Sequence, residues 1–115
     1  MTPFGQRVRE LRLQRGKSLK DMAAHLGVSS AYLSALERGG RGRPTWTLVQ
    51  GIIGYFNIIW DEAEELQRLA ELSAPKPRID ASGQGSRAVF VANRLAREIG
   101  TLSEGDLDAI LAVLD

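Results

Sequence analysis

SLKDMAAHLGVSSAYLSALERGGRGRP, residues 18–44, holds two short amphipathic helical patterns joined by a tight turn, and its reading decides the fold. Ser18 opens the first pattern with Asp21 three residues on, the spacing of a capping box. Leu19, Met22, Ala23 and Leu26 recur at helical intervals and form its inward face. Gly27 stands where a left-handed residue closes a helix. Ser29 caps the next pattern, about residues 30–38, with Leu33 and Leu36 pointing inward. The run Gly39-Gly40-Arg41-Gly42-Arg43-Pro44 is a loop by composition.

Working outward, residues 4–15 place Phe4, Val8 and Leu11 on one face of a helix with Arg7, Arg9 and Arg15 around it, and Gly16 stops it. On the other side Thr45 caps a helix carrying Leu48, Val49, Ile52, Ile53 and Phe56. Gly51 and Gly54 each weaken that helix by roughly 1 kcal/mol relative to Ala, which close packing would explain. After a turn near Asn57, Asp61 and Glu64 form another capping pair and start a fifth helix ending near Leu72. Residues 73–86 are rich in Pro, Gly and Ser and read as a linker. Two more helical patterns follow, about 87–99 and 104–114, the second opened by Ser103. No stretch reads as a strand and no repeat is evident. The expectation is an all-α protein: a five-helix domain over 1–72, a linker over 73–86 and a two-helix extension over 87–115. Two short helices cannot bury a core alone, so they pack on the domain or on a second subunit.

Composition narrows the function. The 115 residues are 43% hydrophobic and 25% charged, as in ordinary globular proteins. There is no cysteine and one histidine, His25, so disulfides, thiolate metal sites and cysteine nucleophiles are excluded. No nucleophile–base pair or metal set can be assembled, and neither an enzyme nor a cofactor is expected. Asp61-Glu62-Ala63-Glu64-Glu65 lacks calcium-loop spacing, and the Gly-Gly-Arg-Gly loop lacks the Lys-Ser or Lys-Thr of a phosphate-binding loop. With no long apolar run and no leader pattern at Met1-Thr2-Pro3-Phe4, the expected place is the cytoplasm, with no membrane partner. The net charge of +1 conceals a division. Residues 1–45 carry nine Lys and Arg against three acids (+6), and residues 46–115 six against eleven (−5). A basic first part fits a polyanion-binding face on one side.

The two helices joined at Leu26-Gly27-Val28-Ser29, with small Ala23 at their crossing, have the spacing of a helix-turn-helix, whose second helix enters the DNA major groove. The run from Ser18 to Gly39, with Gly-Val-Ser, Leu-Ser, Leu-Glu-Arg-Gly and the following Arg-Pro in register, resembles the bacterial Xre family, the Cro and phage-repressor type. The resemblance covers about residues 4–72. It implies a lambda-repressor-like domain that binds double-stranded DNA, associates with the nucleoid and regulates transcription. Its recognition helix would be the third, with Ser30, Ala31, Ser34 and Ala35 facing the groove and Tyr32 near the sugar-phosphate backbone or a neighbouring base. Ser29 and Ser18, each at a helix start, and Thr45 would lie near phosphates. Arg38, Arg41 and Arg43 would clamp the flanking backbone.

Two departures qualify that transfer. Many members carry Gln where this chain has Leu19, so Lys20 or Lys17 takes that phosphate contact. The reading face is also small, without the long side chains that make bidentate base contacts. Sequence choice then leans on thymine methyls, DNA shape and the arginine loop.

Other residues have structural readings. The resemblance pairs Arg12 with Glu37, tying the first helix to the third. His25 is expected to be solvated, and Trp46 and Trp60 to pack at helix starts, with Trp46 near enough to the arginine loop to brush DNA. The functional expectation is a homodimeric repressor on a roughly two-fold operator, dimerising through Phe90, Leu95, Ile99, Leu107, Ile110, Leu111 and Leu114. The alternative is an antitoxin-like protein whose C-terminal helices hold a protein partner and which regulates its own promoter.

Overall fold

The computed structural model describes residues 1–115, and all of its regular structure is helical. The helices are α1 (Pro3–Gln14), α2 (Leu19–Leu26), α3 (Ser30–Arg38), α4 (Trp46–Phe56), α5 (Trp60–Glu71), α6 (Ser86–Glu98) and α7 (Glu104–Leu114), with a 3-10 turn at Ile99–Thr101. No helix is long and apolar enough to cross a membrane. The chain divides into two compact units, Met1–Pro77 and Arg78–Asp115.

Local sequence fixes where the first four helices begin and end. Each opens on a hydroxyl that accepts a backbone N–H three residues on: Thr2, Ser18, Ser29 and Thr45. Each closes with the paired reverse bonds of a Schellman motif around a left-handed residue. At the end of α2, the Val28 amide donates to the Ala23 carbonyl (3.1 Å) and the Gly27 amide to that of Ala24 (3.3 Å). At the end of α3, the Gly40 amide donates to Ala35 (2.8 Å) and the Gly39 amide to Leu36 (3.1 Å). Gly16 and Asn57 hold the corresponding positions after α1 and α4. A chain closed in this way after eight or nine residues turns sharply, which is what a helix-turn-helix requires.

The first unit surrounds one core of Phe4, Val8, Leu11, Met22, Leu33, Leu36, Val49, Ile52, Phe56 and Leu66, all buried, with Ala23 and Leu48. Leu26, an expected core residue, is half-buried and packs against this cluster. Two close approaches set the helix positions. A Cβ on Gly5 would stand 2.3 Å from the Glu37 carbonyl oxygen, so α1 crosses α3 at the distance only glycine permits. A Cβ on Gly51 would stand 3.1 Å from Leu26 Cδ2, whereas Gly54 faces open space. Ser73 closes the unit: it is 2% exposed, and its hydroxyl accepts the Phe4 amide (2.9 Å) and donates to the Leu69 carbonyl.

Three sequence expectations change here. Helix α5 starts at Trp60, with Ile59 at the cap position and no side-chain cap, so Asp61 and Glu64 are not its capping pair. Left-handed Asn57 and buried Ile58 set the entry of the chain, and Asp61 and Glu62 fall in the first turn, where the helix dipole favours them. Trp46 and Trp60 are not packing residues: they are 66% and 79% exposed. At about 100° per residue, each lies roughly a quarter turn away from the core-facing side of its helix.

The second unit has no buried residue. In α6, Ala88, Val91, Ala92 and Leu95 form one stripe and, with Ile79 and Ala81, line a groove of about 490 Å³. Leu107, Ile110, Leu111 and Leu114 form the stripe of α7, whose start is fixed by a reciprocal capping box between Ser103 and Asp106. The Ser103 amide donates to the Asp106 carboxylate (3.0 Å) and holds that carboxyl below its ordinary value of 3.8.

Candidate nucleic-acid interface

Helix α3 presents its core side through Leu33, Leu36 and Glu37. At about 100° per residue, the opposite side centres on Ala31, Ala35 and Arg38, flanked by Tyr32 and Ser34. Ser30 and Ala31 are exposed, while Tyr32, Ser34 and Ala35 are half-buried. Ser29, Ser18 and Thr45 use their hydroxyl oxygens as helix caps, accepting from Tyr32 (3.0 Å), Asp21 (3.0 Å) and Leu48 (3.2 Å). Each keeps its O–H proton for an outside acceptor, the arrangement suited to a phosphate oxygen beside a helix start.

The cations of this stretch are free. Lys17, Lys20, Arg38, Arg41 and Arg43 are exposed, and none pairs with a carboxylate. Arg12 is held differently. Its Nε lies 3.1 Å from Glu37 Oε2 and its second guanidinium nitrogen 3.2 Å from Oε1, a bidentate pair with Glu37 6% exposed. Arg12 also donates to the Lys17 carbonyl (3.3 Å), so it ties α1 to α3 and to the loop before α2. The expected structural role of this pair is what the geometry shows. Arg15 lies over the Phe56 ring at 5.5 Å.

Between α2, the start of α3 and the start of α4 lies a depression of about 600 Å³, lined in part by His25, Leu26, Ser29, Tyr32 and Thr45. His25 is exposed as expected, yet its ring also meets that of Tyr55 at 4.8 Å. That contact depends on how α4 crosses α2, so no local signal announces it. Gly5 and Ser73 are further residues the sequence reading missed; their neighbours, Glu37 for Gly5 and Phe4 for Ser73, are distant in the chain.

In the second unit, Leu95, Leu107 and Ile110 are half-buried, and Ile99, Leu111 and Leu114 are exposed. Phe90 stands apart from these. It projects from the side of α6 opposite the Leu95 stripe, 62% exposed, with the Arg94 guanidinium 5.9 Å from its ring centre.

A five-helix unit with a short α2, a left-handed glycine and an exposed, cation-flanked α3 is a helix-turn-helix domain. Residues 3–66 match the family described as Helix-turn-helix domain, and the chain belongs to that family. Its resemblance to the Xre type agrees with its relatives. It is 28% identical over 90 residues to RghRB, an uncharacterized HTH-type transcriptional regulator of Bacillus subtilis, covering 78% of this chain and 63% of the relative. An uncharacterized HTH-type transcriptional regulator of Mycobacterium tuberculosis is 34% identical over 119 residues, covering 96% of this chain and 46% of the relative. SinR of Bacillus subtilis is 27% identical over 75 residues, covering 62% and 68%. The chain thus spans about half to two thirds of the length of the first two relatives. No solved structure matches it.

Proposed function

We propose that this chain is a sequence-specific transcriptional regulator that binds double-stranded DNA as a homodimer and acts as a repressor. One observation carries the reading: α3, whose outward residues other than Arg38 are short, is accompanied by the exposed cations Lys17, Lys20, Arg38, Arg41 and Arg43, none of which has an acid partner within the protein. Buried or partnered cations would have no need of an outside polyanion. Free cations around a groove-sized helix supply the salt-dependent attraction, and the helix supplies selection. Lys20, Arg38 and Arg43 contact phosphates; Ser30, Ala31, Ser34 and Ala35 face the base edges; Ser18, Ser29 and Thr45 donate hydroxyl protons to the backbone. Because these side chains are short, α3 lies close to the groove floor.

The homodimer rests on the second unit. Its two apolar stripes repeat at three- and four-residue spacing, as in helix bundles, and nothing within the unit buries them. Charge supports self-association: α6 carries Arg87, Arg94 and Arg97 with one acid, Glu98, while α7 carries Glu104, Asp106 and Asp108 and no base. Packing α7 of one copy along the groove of α6 in another joins opposite signs in both directions. Leu95, Ile99, Leu107, Ile110, Leu111 and Leu114 form this contact; Phe90, on the far side of α6, lies outside it. Repression requires only that the dimer occupy a promoter, which these two units accomplish together.

In-vitro selection from random duplexes with the full chain, at near-physiological salt, tests the reading. The expected product is an inverted repeat with half-sites centred about 10–10.5 base pairs apart or a multiple of that. Absence of any enriched sequence would refute sequence-specific binding. An enriched single half-site, with a monomer in solution, would refute the dimer.

A further inference from the structure

Arg41 lies outside the helices, yet its guanidinium carbon is 5.8 Å from the ring centre of Tyr32, in the first turn of α3. The chain is turned back to bring it there. The Gly40 amide is bound to the Ala35 carbonyl at 2.8 Å, and Gly39 takes φ +83, a conformation that other residues adopt only under strain. Arg41 has no carboxylate partner to draw it elsewhere. Arg38 and Arg43, by contrast, make no cation–π contact. On α3 itself Ser30, Ala31, Ser34 and Ala35 carry no side chain able to make two bonds to one base, and Arg38, the one long outward side chain, is the last residue of the helix, beyond the N-terminal turns that meet base edges.

We infer that Arg41, laid against Tyr32 at the flank of α3, reads a guanine in the major groove, and that Tyr32 is its positioning residue. The inference rests on the proposed seating of α3 in that groove. A guanidinium held beside a ring by a cation–π contact keeps its edge of N–H donors free. That edge matches O6 and N7 of guanine, to which it donates two parallel bonds. The ring also limits the freedom that so long a side chain loses when it docks. A phosphate contact needs neither the planar orientation nor the ring, and Arg38 and Arg43 meet that need without them. The short side chains of α3 complete the arrangement, since they leave room for Arg41 to reach the base edges alongside the helix.

The test uses the full chain, the duplex enriched by selection, and anisotropy titrations at fixed salt. The expected site contains a guanine in each half-site whose replacement weakens binding about 5- to 150-fold. Substitution by 7-deazaguanine, which lacks only the N7 acceptor, should weaken it less but in the same direction. Arg41→Ala should abolish this discrimination, weakening binding to the guanine duplex far more than binding to duplexes without the guanine. Arg41→Lys should not restore it, because an ammonium cannot form the fork. Tyr32→Phe should keep the discrimination and Tyr32→Ala reduce it, with unfolding midpoints confirming that each variant is folded. Uniform weakening on all duplexes by Arg41→Ala, rescued by Lys, would show a phosphate clamp and overturn the inference. A selected site without guanine would overturn it as well, leaving the regulator reading intact. Failure of the wild-type chain to enrich any sequence would instead remove the seating of α3 and the inference with it.

Discussion

Gly5→Ala and Gly54→Ala are the same chemical change at two helical positions, and the structure assigns them opposite signs. In α1, a methyl group on Gly5 meets the Glu37 carbonyl oxygen at 2.3 Å and its carbon and Cα at 2.8 Å. These are backbone atoms of α3, so no side chain can swing aside and the two helices must separate. Overpacking of this kind costs up to about 3 kcal/mol. Ala is favoured over Gly in a helix by about 1 kcal/mol, leaving a net loss of roughly 2 kcal/mol. For a domain of this size that lowers the unfolding temperature by roughly 8–16 °C. At Gly54, in α4, nothing lies within 4 Å of the added methyl, and only the helix preference remains, a gain of about 0.4–1 kcal/mol. Gly51→Ala should fall between, because the flexible end of Leu26 can yield. Urea unfolding followed by circular dichroism measures all three. The change at Gly5 also pushes on α3, so specific DNA affinity should fall for that variant and hold for Gly54→Ala. Equal stability of Gly5→Ala and the parent would refute the close crossing of α1 and α3. Destabilisation by Gly54→Ala would refute the open surface assigned there.

Four further outcomes follow from the geometry. Arg12→Met leaves the Glu37 carboxylate buried without its partner and should cost about 3–5 kcal/mol, whereas Arg12→Met with Glu37→Leu should recover most of it; neutral single variants in denaturant unfolding would refute the tie. Arg43→Ala should weaken binding to all sequences alike and lower the slope of log affinity against log salt by roughly 2 per dimer; an unchanged slope in salt titrations would remove Arg43 from the phosphate contacts. Residues 1–77 should fold and sediment as a monomer while the full chain sediments as a dimer; a dimeric fragment would place the interface elsewhere. The Asp106 carboxyl, held low by the Ser103 amide, adds stability that is complete above its ordinary value of 3.8 and lost as pH falls through its lower folded value. Asp106→Asn should therefore lessen the acid-induced loss of helix in residues 78–115, measured by circular dichroism, and an identical acid profile would refute the capping role.

What the sequence revealed and what it concealed divide along one physical line. Ser18, Ser29, Thr45 and Gly27 announce themselves because a cap or a left-handed residue acts on its own neighbours, and four helix ends were legible from them. The apolar stripes of α1 to α4 were legible for the same reason, period alone being enough. Trp46 and Trp60 were misplaced because exposure depends on the angle a residue makes with a core that other helices build. The start of α5 was misplaced because buried Ile58, a tertiary fact, outweighs the local Asp61/Glu64 signal. Gly51 and Gly54 are indistinguishable by local rules, and only the approach of Leu26 separates them.

The same line runs through the interface. Cation content and the small side chains of α3 are properties of single positions and were read directly, and they pose a problem: attraction without an evident means of selection. Its resolution needs the contact between Tyr32 and Arg41, nine residues apart and joined only because the chain reverses at Gly39. A stretch that looks by composition like a flexible, basic loop is therefore constrained at its first step by two backbone hydrogen bonds. Selectivity in a domain this small depends on such constraint, because a charged side chain free to follow the phosphates tells one sequence from another no better than salt does.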